Sequence, residues 1–190
     1  TNHSNTDGTS YSLISTFYVN IHPQLGCKAD SNCMEAFWSK HPEGWNYLQD
    51  YKLSPSNAMH AFLEWIRFFT DRQIKWIASP ASFDWYFLKF YLNKYTHHNP
   101  LTHRVLGFYC LCLDSILRGY LQMKGIGNRK RFMDSIVGNR VQYTHISVDD
   151  AVYQGFVYME LRSLISQHKR QYTRSKYKKH NNYNNIRHKR

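Results

Sequence analysis

Apolar residues recur at helical spacing in two long stretches of the chain. Between Ala151 and Ile165, and again between Ala58 and Asp71, they fall on one side of a 3.6-residue repeat. Ser54-Pro55 stands just before the second stretch and is typical of a helix start. The pattern therefore predicts two amphipathic helices whose apolar stripes face the core.

Shorter apolar runs predict strands between these helices. Residues Tyr11 to Ile21 and Trp76 to Ser79 are predicted to be extended, and Val105 to Leu117 to be a strand followed by a helix. A helix over Phe83 to Tyr95 follows the second strand. A further short helix is predicted over Asn32 to Lys40, capped by Asp30 or Ser31.

Length and composition indicate one domain with a tail. The chain has 190 residues, of which 42% are hydrophobic, so it can bury one sizeable core but not two. We predict a domain over residues 1–166 and a tail over residues 167–190. The sequence has no apolar run of about 18 residues, so no membrane span is predicted.

The tail carries most of the net charge of +12. It is rich in asparagine and tyrosine, so we expect it to be disordered or to be a frayed helix extension. Its cations would bind phosphates and its tyrosines would stack on bases, whereas the alternatives are a merely solubilising terminus or a membrane-surface segment. It lacks acidic residues and contains nine cations: Lys169, Arg170, Arg174, Lys176, Lys178, Lys179, Arg187, Lys189 and Arg190.

A second basic stretch lies between Lys124 and Arg140. We predict a glycine-punctuated connector whose Arg129, Lys130, Arg131 and Arg140 face a phosphate backbone, and an ordinary solvated surface is an equal alternative. RNA or DNA is the partner that both basic stretches indicate.

The four cysteines do not have the spacing of a zinc site. Cys110 and Cys112 are separated by a single residue, and Cys27 and Cys33 have no neighbouring cysteine or histidine at chelating distance. We predict that all four are buried reduced thiols, which is typical of an intracellular protein.

A histidine followed by an aspartate marks the start of the last helix. His145 would lie in the loop before this helix and Asp150 in its first turn. A carboxylate held there can bind a divalent metal, and a mobile imidazole can take a proton from water. The simpler interpretation is that Asp149 and Asp150 are favourable charges at a helix N-terminus.

Two motifs in this order resemble those of a known enzyme family. Pro80-Ala81-Ser82-Phe83-Asp84 follows a predicted strand, and Thr144-His145 with Asp149-Asp150-Ala151 and Gln154-Gly155 comes later. Together they resemble a bacterial and viral branch of the DEDDh 3'-5' exonucleases. Roughly residues 4–165 can be aligned with this family, including Met34-Glu35-Ala36-Phe37-Trp38 and His41-Pro42-Glu43.

The resemblance implies a fold and a site. The fold would be α/β, a ribonuclease H-like mixed sheet flanked by helices, followed by the basic tail. Asp84 and Asp150 would bind Mg²⁺ or Mn²⁺, and His145 would be the general base. An origin in a viral genome would agree with the branch.

The first motif of the family is not preserved. Where the family has an Asp-x-Glu pair, this chain has His3 and Asn5, and Asp7 is the nearest substitute. Neutral side chains cannot offset two divalent ions, so a two-metal site should be weakened or lost. We therefore expect a nucleic-acid-binding protein, or a subunit of a nucleoprotein assembly. An active exonuclease on single-stranded RNA or DNA is the alternative.

Overall fold

Helices dominate the structure and contain most of the described residues. The computed structural model describes residues 2–4, 10–69, 74–97 and 109–187, and it describes the side chains of residues 11–69, 74–97 and 109–176. Its α-helices are α1 (Ser31–Ala36), α2 (Pro42–Tyr47), α3 (Pro55–Arg67), α4 (Ala81–Thr96), α5 (Leu113–Lys124), α6 (Arg129–Val137) and α7 (Ser147–Arg187).

The strands are short and form three separate pairs within the described residues. β1 (Asn2–Ser4) is antiparallel to β2 (Ser10–Ser12). The other pairs are parallel: β3 (Asn20–Ile21) with β4 (Lys52–Leu53), and β5 (Ile77–Ala78) with β6 (Leu111–Cys112). The predicted combination of helices and strands is confirmed, but the strand pairs do not join into the predicted single mixed sheet in the described part of the chain.

The prediction of a continuous strand over Tyr11 to Ile21 was wrong. Only its two ends are strands, as β2 and β3, and residues 13–19 between them have no assigned regular structure. A strand forms only where a neighbour can accept and donate its backbone hydrogen bonds. No neighbouring strand is paired with residues 13–19 in the described ranges.

The predicted helix starts are confirmed by side-chain caps. The Asp30 carboxylate accepts the Cys33 backbone N–H at 2.7 Å at the start of α1. The Ser54 hydroxyl accepts the Asn57 N–H at 3.2 Å at the start of α3. These bonds satisfy backbone donors that have no partner within the helix.

Two hydrophobic clusters form the core. The α5–α7 cluster contains residues that are buried on α5, α6 and α7, including Leu117, Val137 and Leu161. The α3–α4 cluster contains Ala58, Met59, Phe62, Leu63, Ile66 and Leu92. The amphipathic stripes of α3 and of the first part of α7 thus face the core, as their sequences predicted.

Tyr11 of β2 is attached to α7 through a buried ion pair. The Arg140 guanidinium lies 2.7 Å from the Glu160 carboxylate, and only 8% of the Glu160 side chain is exposed. The Tyr11 hydroxyl donates to the same carboxylate at 2.6 Å. Such a pair is costly to break, because removing one partner leaves a buried charge without compensation.

The segment predicted to be a tail continues α7 as a helix to Arg187. Of the two forms predicted, the helix extension is found, and the disordered form is not. No glycine or proline follows Gly155, so nothing in the sequence interrupts the helix. The packed part of α7 supplies the costly nucleus, and each added residue then extends it at little cost.

The prediction of four buried thiols was wrong for two of them. All four cysteines are free, but Cys27 and Cys33 are exposed while Cys110 and Cys112 are half-buried. Exposure follows from their position in and next to the short helix α1, which buries none of its residues. No described helix is long and apolar enough to cross a membrane.

Candidate functional site

The loop before α7 is folded around the carboxylate of Asp150. Its Oδ1 accepts the backbone N–H groups of Thr144 at 3.2 Å and His145 at 3.1 Å. The Thr144 hydroxyl donates to Asp149 Oδ2 at 2.8 Å. The two adjacent acids therefore tie the loop to the first turn of the helix, which is the structural role weighed for them at the sequence level.

Asp150 is held in a partly desolvated position. Burial raises the pKa of Asp150 above its ordinary value, and the backbone N–H groups of His145 and Thr144 partly oppose this by stabilising the carboxylate. A carboxylate with a raised pKa gains when a cation approaches, because the cation replaces the lost water. The structure thus shows Asp150 as a cap, and its raised pKa is compatible with a nearby cation.

His145 is packed among rings. Its backbone φ is +63°, which turns the chain sharply before α7. Its ring lies 3.9 Å from the ring of His41, 4.9 Å from Tyr143 and 5.1 Å from Phe37, measured between centroids. The sequence predicted a mobile imidazole, whereas the structure surrounds this one on several sides.

Gly44 of α2 allows this packing. It is the buried residue of α2, and a Cβ atom built on it would lie 3.1 Å from the carbonyl oxygen of His145. That distance is tighter than most real contacts. The motif at His41-Pro42-Glu43 thus brings a helix directly against the loop that carries His145.

Asp84 lies in the first turn of α4, as predicted. The helix begins after a cis peptide bond between Ser79 and Pro80, and the Pro80 carbonyl accepts the N–H of Phe83 at 3.1 Å. The Asp84 residue is exposed. Loss of water around its carboxyl group nevertheless raises the pKa of Asp84, and the Ser79 backbone N–H partly opposes this.

Both motif aspartates raise the pKa of the same tyrosine, Tyr143. Burial is the largest cause of the raised pKa of Tyr143, followed by the charge of Asp150 and a hydrogen bond to it. The charge of Asp84 also raises that pKa, and the charge of Arg129 lowers it. Asp84 and Asp150, which are 66 positions apart in sequence, therefore lie within electrostatic range of the same hydroxyl group.

The donor set is too small for two metal ions. Among the described residues, no group of three or more histidine, cysteine, aspartate or glutamate side chains is close enough together to hold a metal. Mg²⁺ can be held by one or two carboxylates when waters and substrate phosphates complete its six ligands. In such an arrangement Asp84 and Asp150 would be the two carboxylates. Asp7 and the side chains of His3 and Asn5 lie outside the described residues.

The predicted connector between Lys124 and Arg140 is mostly the helix α6. Arg129 pairs with Asp114, which also binds Arg118 at 2.7 Å. Lys130 pairs with Asp134 at 2.9 Å. Asp114 thus links α5 to the start of α6.

Arg140 and Arg131 have different environments. Arg140 donates to Glu160, and its guanidinium also donates to the carbonyl of Val137 at 2.6 Å, so it is engaged inside the protein. Arg131 is exposed at the start of α6. Of the four predicted phosphate-binding residues of this stretch, Lys130 and Arg131 are exposed, whereas Arg129 and Arg140 are half-buried.

The extension of α7 presents exposed cations. Lys169, Arg170, Arg174 and Lys176 are all exposed, and the first three line a shallow hollow of about 320 Å³ together with Thr173. Lys178 and Lys179 continue the same helix, and their side chains lie outside the described set. This is the strongest concentration of positive charge among the predicted site residues.

Sequence reasoning missed the rings that gather around the motifs. Tyr143 precedes the last motif by one residue, and His41 belongs to a motif that was noted only for alignment. Neither residue type at these positions is unusual by itself. Only their packing against His145 identifies them.

Comparison with known protein families, with characterised proteins and with solved structures found no match to this chain.

Proposed function

We propose that this chain is a nucleic-acid-binding protein, built on a degenerate ribonuclease H-like exonuclease fold in which catalysis is weakened or lost. The proposal is carried by one observation, the exposed Lys169, Arg170, Arg174 and Lys176 on the extension of α7. Each cation that reaches a phosphate releases counterions, which favours binding to RNA or DNA. A subunit of a nucleoprotein assembly would use the same surface.

The proposal also agrees with the incomplete set of carboxylates. Binding needs only positive charge, whereas two-metal catalysis needs acids where this chain has His3 and Asn5. The net charge of +12 favours association with any polyanion at low salt. A test must therefore distinguish binding by the cations of α7 from attraction of a polyanion to the net positive charge of the whole protein.

The test compares two triple variants with the same net charge. Lys169→Gln, Arg174→Gln and Lys176→Gln remove cations from α7, whereas Lys28→Gln, Lys40→Gln and Lys124→Gln remove exposed cations elsewhere. Binding of a fluorescein-labelled single strand is measured by anisotropy at several salt concentrations. For single strands, each lost contact reduces the slope of log K against log salt by about 0.7, so the α7 variant should lose about 2. Equal slopes for both variants would refute the α7 surface.

An active exonuclease is the second candidate, because Asp84 and Asp150 lie in the first turns of α4 and α7 and the Asp150 carboxylate is hydrogen-bonded to the backbone of His145. In this alternative the two aspartates bind Mg²⁺ or Mn²⁺ and His145 is the general base. The assay is release of nucleotides from a 3'-labelled RNA or DNA strand with Mn²⁺. Asp84→Asn and Asp150→Asn should each abolish release, while Asp30→Asn, at an exposed helix cap, should not. An intact substrate with the unmodified protein would exclude this candidate.

A further inference from the structure

Helix α4 is apolar on two opposite faces. One face packs against α3, with Leu92 fully buried and Leu88, Tyr91 and Tyr95 against the α3–α4 cluster. The other face carries four exposed aromatic side chains that we call the aromatic stripe: Phe83 (60% exposed), Tyr86 (65%), Phe87 (46%) and Phe90 (41%). Their spacing of three, four and seven positions places them on one side of the helix.

Three rings of the aromatic stripe, those of Phe83, Tyr86 and Phe87, are in edge-on contact and are not stacked. The centroids of Phe83 and Phe87 are 4.9 Å apart at an interplanar angle of 67°, and those of Tyr86 and Phe87 are 6.0 Å apart at 80°. Edge-on contacts of this kind leave ring faces available to another flat group. The stripe therefore offers several π-faces along one helix.

Positive and polar groups continue the stripe at its C-terminal end. Lys94 Nζ lies 5.4 Å from the centroid of the Phe90 ring, and Asn93 and Lys94 are both exposed. A cation beside aromatic rings suits a ligand that combines flat bases with phosphates. An apolar protein partner would instead have to desolvate this charge.

The size of the stripe argues against a stable protein interface. With about 200 Å² for each aromatic side chain, the exposed parts of the four rings amount to roughly 400 Å². A stable protein interface buries about 800 Å² on each partner. Two copies of a chain with a charge of +12 would also repel each other.

The position of the stripe relates it to the candidate site. Phe83 is adjacent to Asp84, and the stripe runs from there along α4. The rise from residue 83 to residue 90 is about 10 Å, which matches about three bases at 3.4 Å per nucleotide. A strand on this surface would have one end beside the carboxylate of Asp84.

We propose that the aromatic stripe stacks unpaired bases of a single-stranded nucleic acid. This inference rests on the proposed nucleic-acid binding and adds where and in which form the ligand is held. The cations of α7 supply affinity for any phosphate backbone, and the stripe supplies preference for single strands whose bases can turn outward. The bases of a duplex stay stacked on each other, so a duplex gains little affinity from the stripe.

The experiment removes stacking in two independent ways, by removing rings from the protein and by removing bases from the strand. The variant is Tyr86→Leu with Phe90→Leu, which keeps apolar surface but removes two rings, and the matched control is Phe68→Leu at a residue that is 84% exposed. The probes are a labelled twelve-nucleotide strand and the same strand with three central abasic sites. Binding is measured by anisotropy, and folding and oligomeric state are checked by circular dichroism and light scattering.

The unmodified protein and the Phe68 control should bind the intact strand at least tenfold more tightly than the abasic one, since each stacked base contributes about tenfold. The double variant, which keeps Phe83 and Phe87, should bind the intact strand several-fold less tightly than the unmodified protein does, while its affinity for the abasic strand stays the same. An unchanged preference in the double variant would overturn the stripe while leaving nucleic-acid binding intact. Loss of an oligomer in the double variant would also overturn it, in favour of a protein contact. No binding of any strand by the unmodified protein would refute the proposed function itself.

Discussion

At the scale of single residues, buried polar groups determine how the N-terminal segment is attached to the rest of the protein. Tyr11 and Arg140 both contact the carboxylate of Glu160, and the Tyr11 ring lies 5.5 Å from that of Phe156. These residues are far apart in sequence. A hydrogen bond to a buried charged group contributes more to stability than one between neutral groups.

Stability should depend on the ionisation of Tyr11 at high pH. Burial and then the hydrogen bond to Glu160 raise the pKa of Tyr11 from 10.0 to about 12. Because the folded pKa lies above the unfolded one, this contribution is complete below pH 10 and is lost as the pH rises to about 12. Urea unfolding between pH 8 and pH 12 should show a steeper decline for the unmodified protein than for Tyr11→Phe.

At neutral pH, Tyr11→Phe should lower the free energy of unfolding by about 2 kcal/mol, the contribution of a hydrogen bond to a charged group. Tyr51→Phe is the control, because Tyr51 is 97% exposed. It should behave as the unmodified protein across the whole pH range. Identical pH profiles for Tyr11→Phe and the unmodified protein would show that Tyr11 ionises normally.

At the scale of secondary-structure elements, two helices depart from what their sequences indicated. Helix α7 continues through a segment that is rich in asparagine and tyrosine, and α4 exposes rings on a face that its apolar composition would assign to a core. The first case follows from the absence of a breaker after Gly155. The second difference, the exposed rings of α4, is the reason for proposing that this helix binds a ligand.

A proline in the extension should melt it without affecting the core. Gln171 is exposed on α7, beyond the residues of the α5–α7 cluster. Gln171→Pro removes a backbone donor and clashes with the preceding turn, at a cost of about 3 kcal/mol to the local helix. Far-UV circular dichroism should lose the signal of roughly 17 helical residues, and the thermal midpoint should stay the same.

Gln171→Ala should keep both the helical signal and the midpoint. If the proline variant retains the full helical signal, the extension is not helical in solution. If its midpoint falls by several degrees, the extension packs on the core after all. Gln154→Pro, in the packed part of α7, should prevent folding.

At the scale of the whole molecule, the two hydrophobic clusters raise the question of how many units fold. The α3–α4 cluster and the α5–α7 cluster have no residue in common. Ile77 packs on the second, and Trp76, its neighbour in sequence, packs on the first. The prediction that residues 1–166 are one domain requires the two clusters to unfold together.

Core truncations in either cluster should therefore destabilise one common transition. Leu92 and Leu117 are fully buried, one in each cluster, and Leu→Ala at either site should cost about 2–5 kcal/mol. Tryptophan fluorescence reports in part on the α3–α4 cluster, which two of the five tryptophans, Trp65 and Trp76, contact. Far-UV circular dichroism reports on all helices.

The unfolding midpoints measured by fluorescence and by circular dichroism should fall by the same amount in each of the two Leu→Ala variants. Leu25→Ala at a fully exposed residue should change stability by no more than about 0.5 kcal/mol. Separate midpoints for fluorescence and circular dichroism would show two folding units in place of one domain.

The sequence by itself determined the helices with a clear apolar period and their caps, because these depend on contacts within a few residues. The stripe of α3, the cap at Ser54, the start of α4 before Asp84 and the start of α7 before Asp150 are of this kind. The basic character of the end of the chain was equally evident, since charge is a property of composition.

Only the tertiary structure decided what depends on residues distant in sequence. The strands are short because a strand forms only where a neighbouring strand pairs with it. Arg140 forms an ion pair with Glu160 because the two side chains are buried at the same place. The packing of His145 against His41, the common effect of Asp84 and Asp150 on Tyr143, and the exposure of the α4 rings are also set by which elements meet. Periodicity shows that a face is apolar, but the element that covers it, or leaves it open, is chosen by the fold.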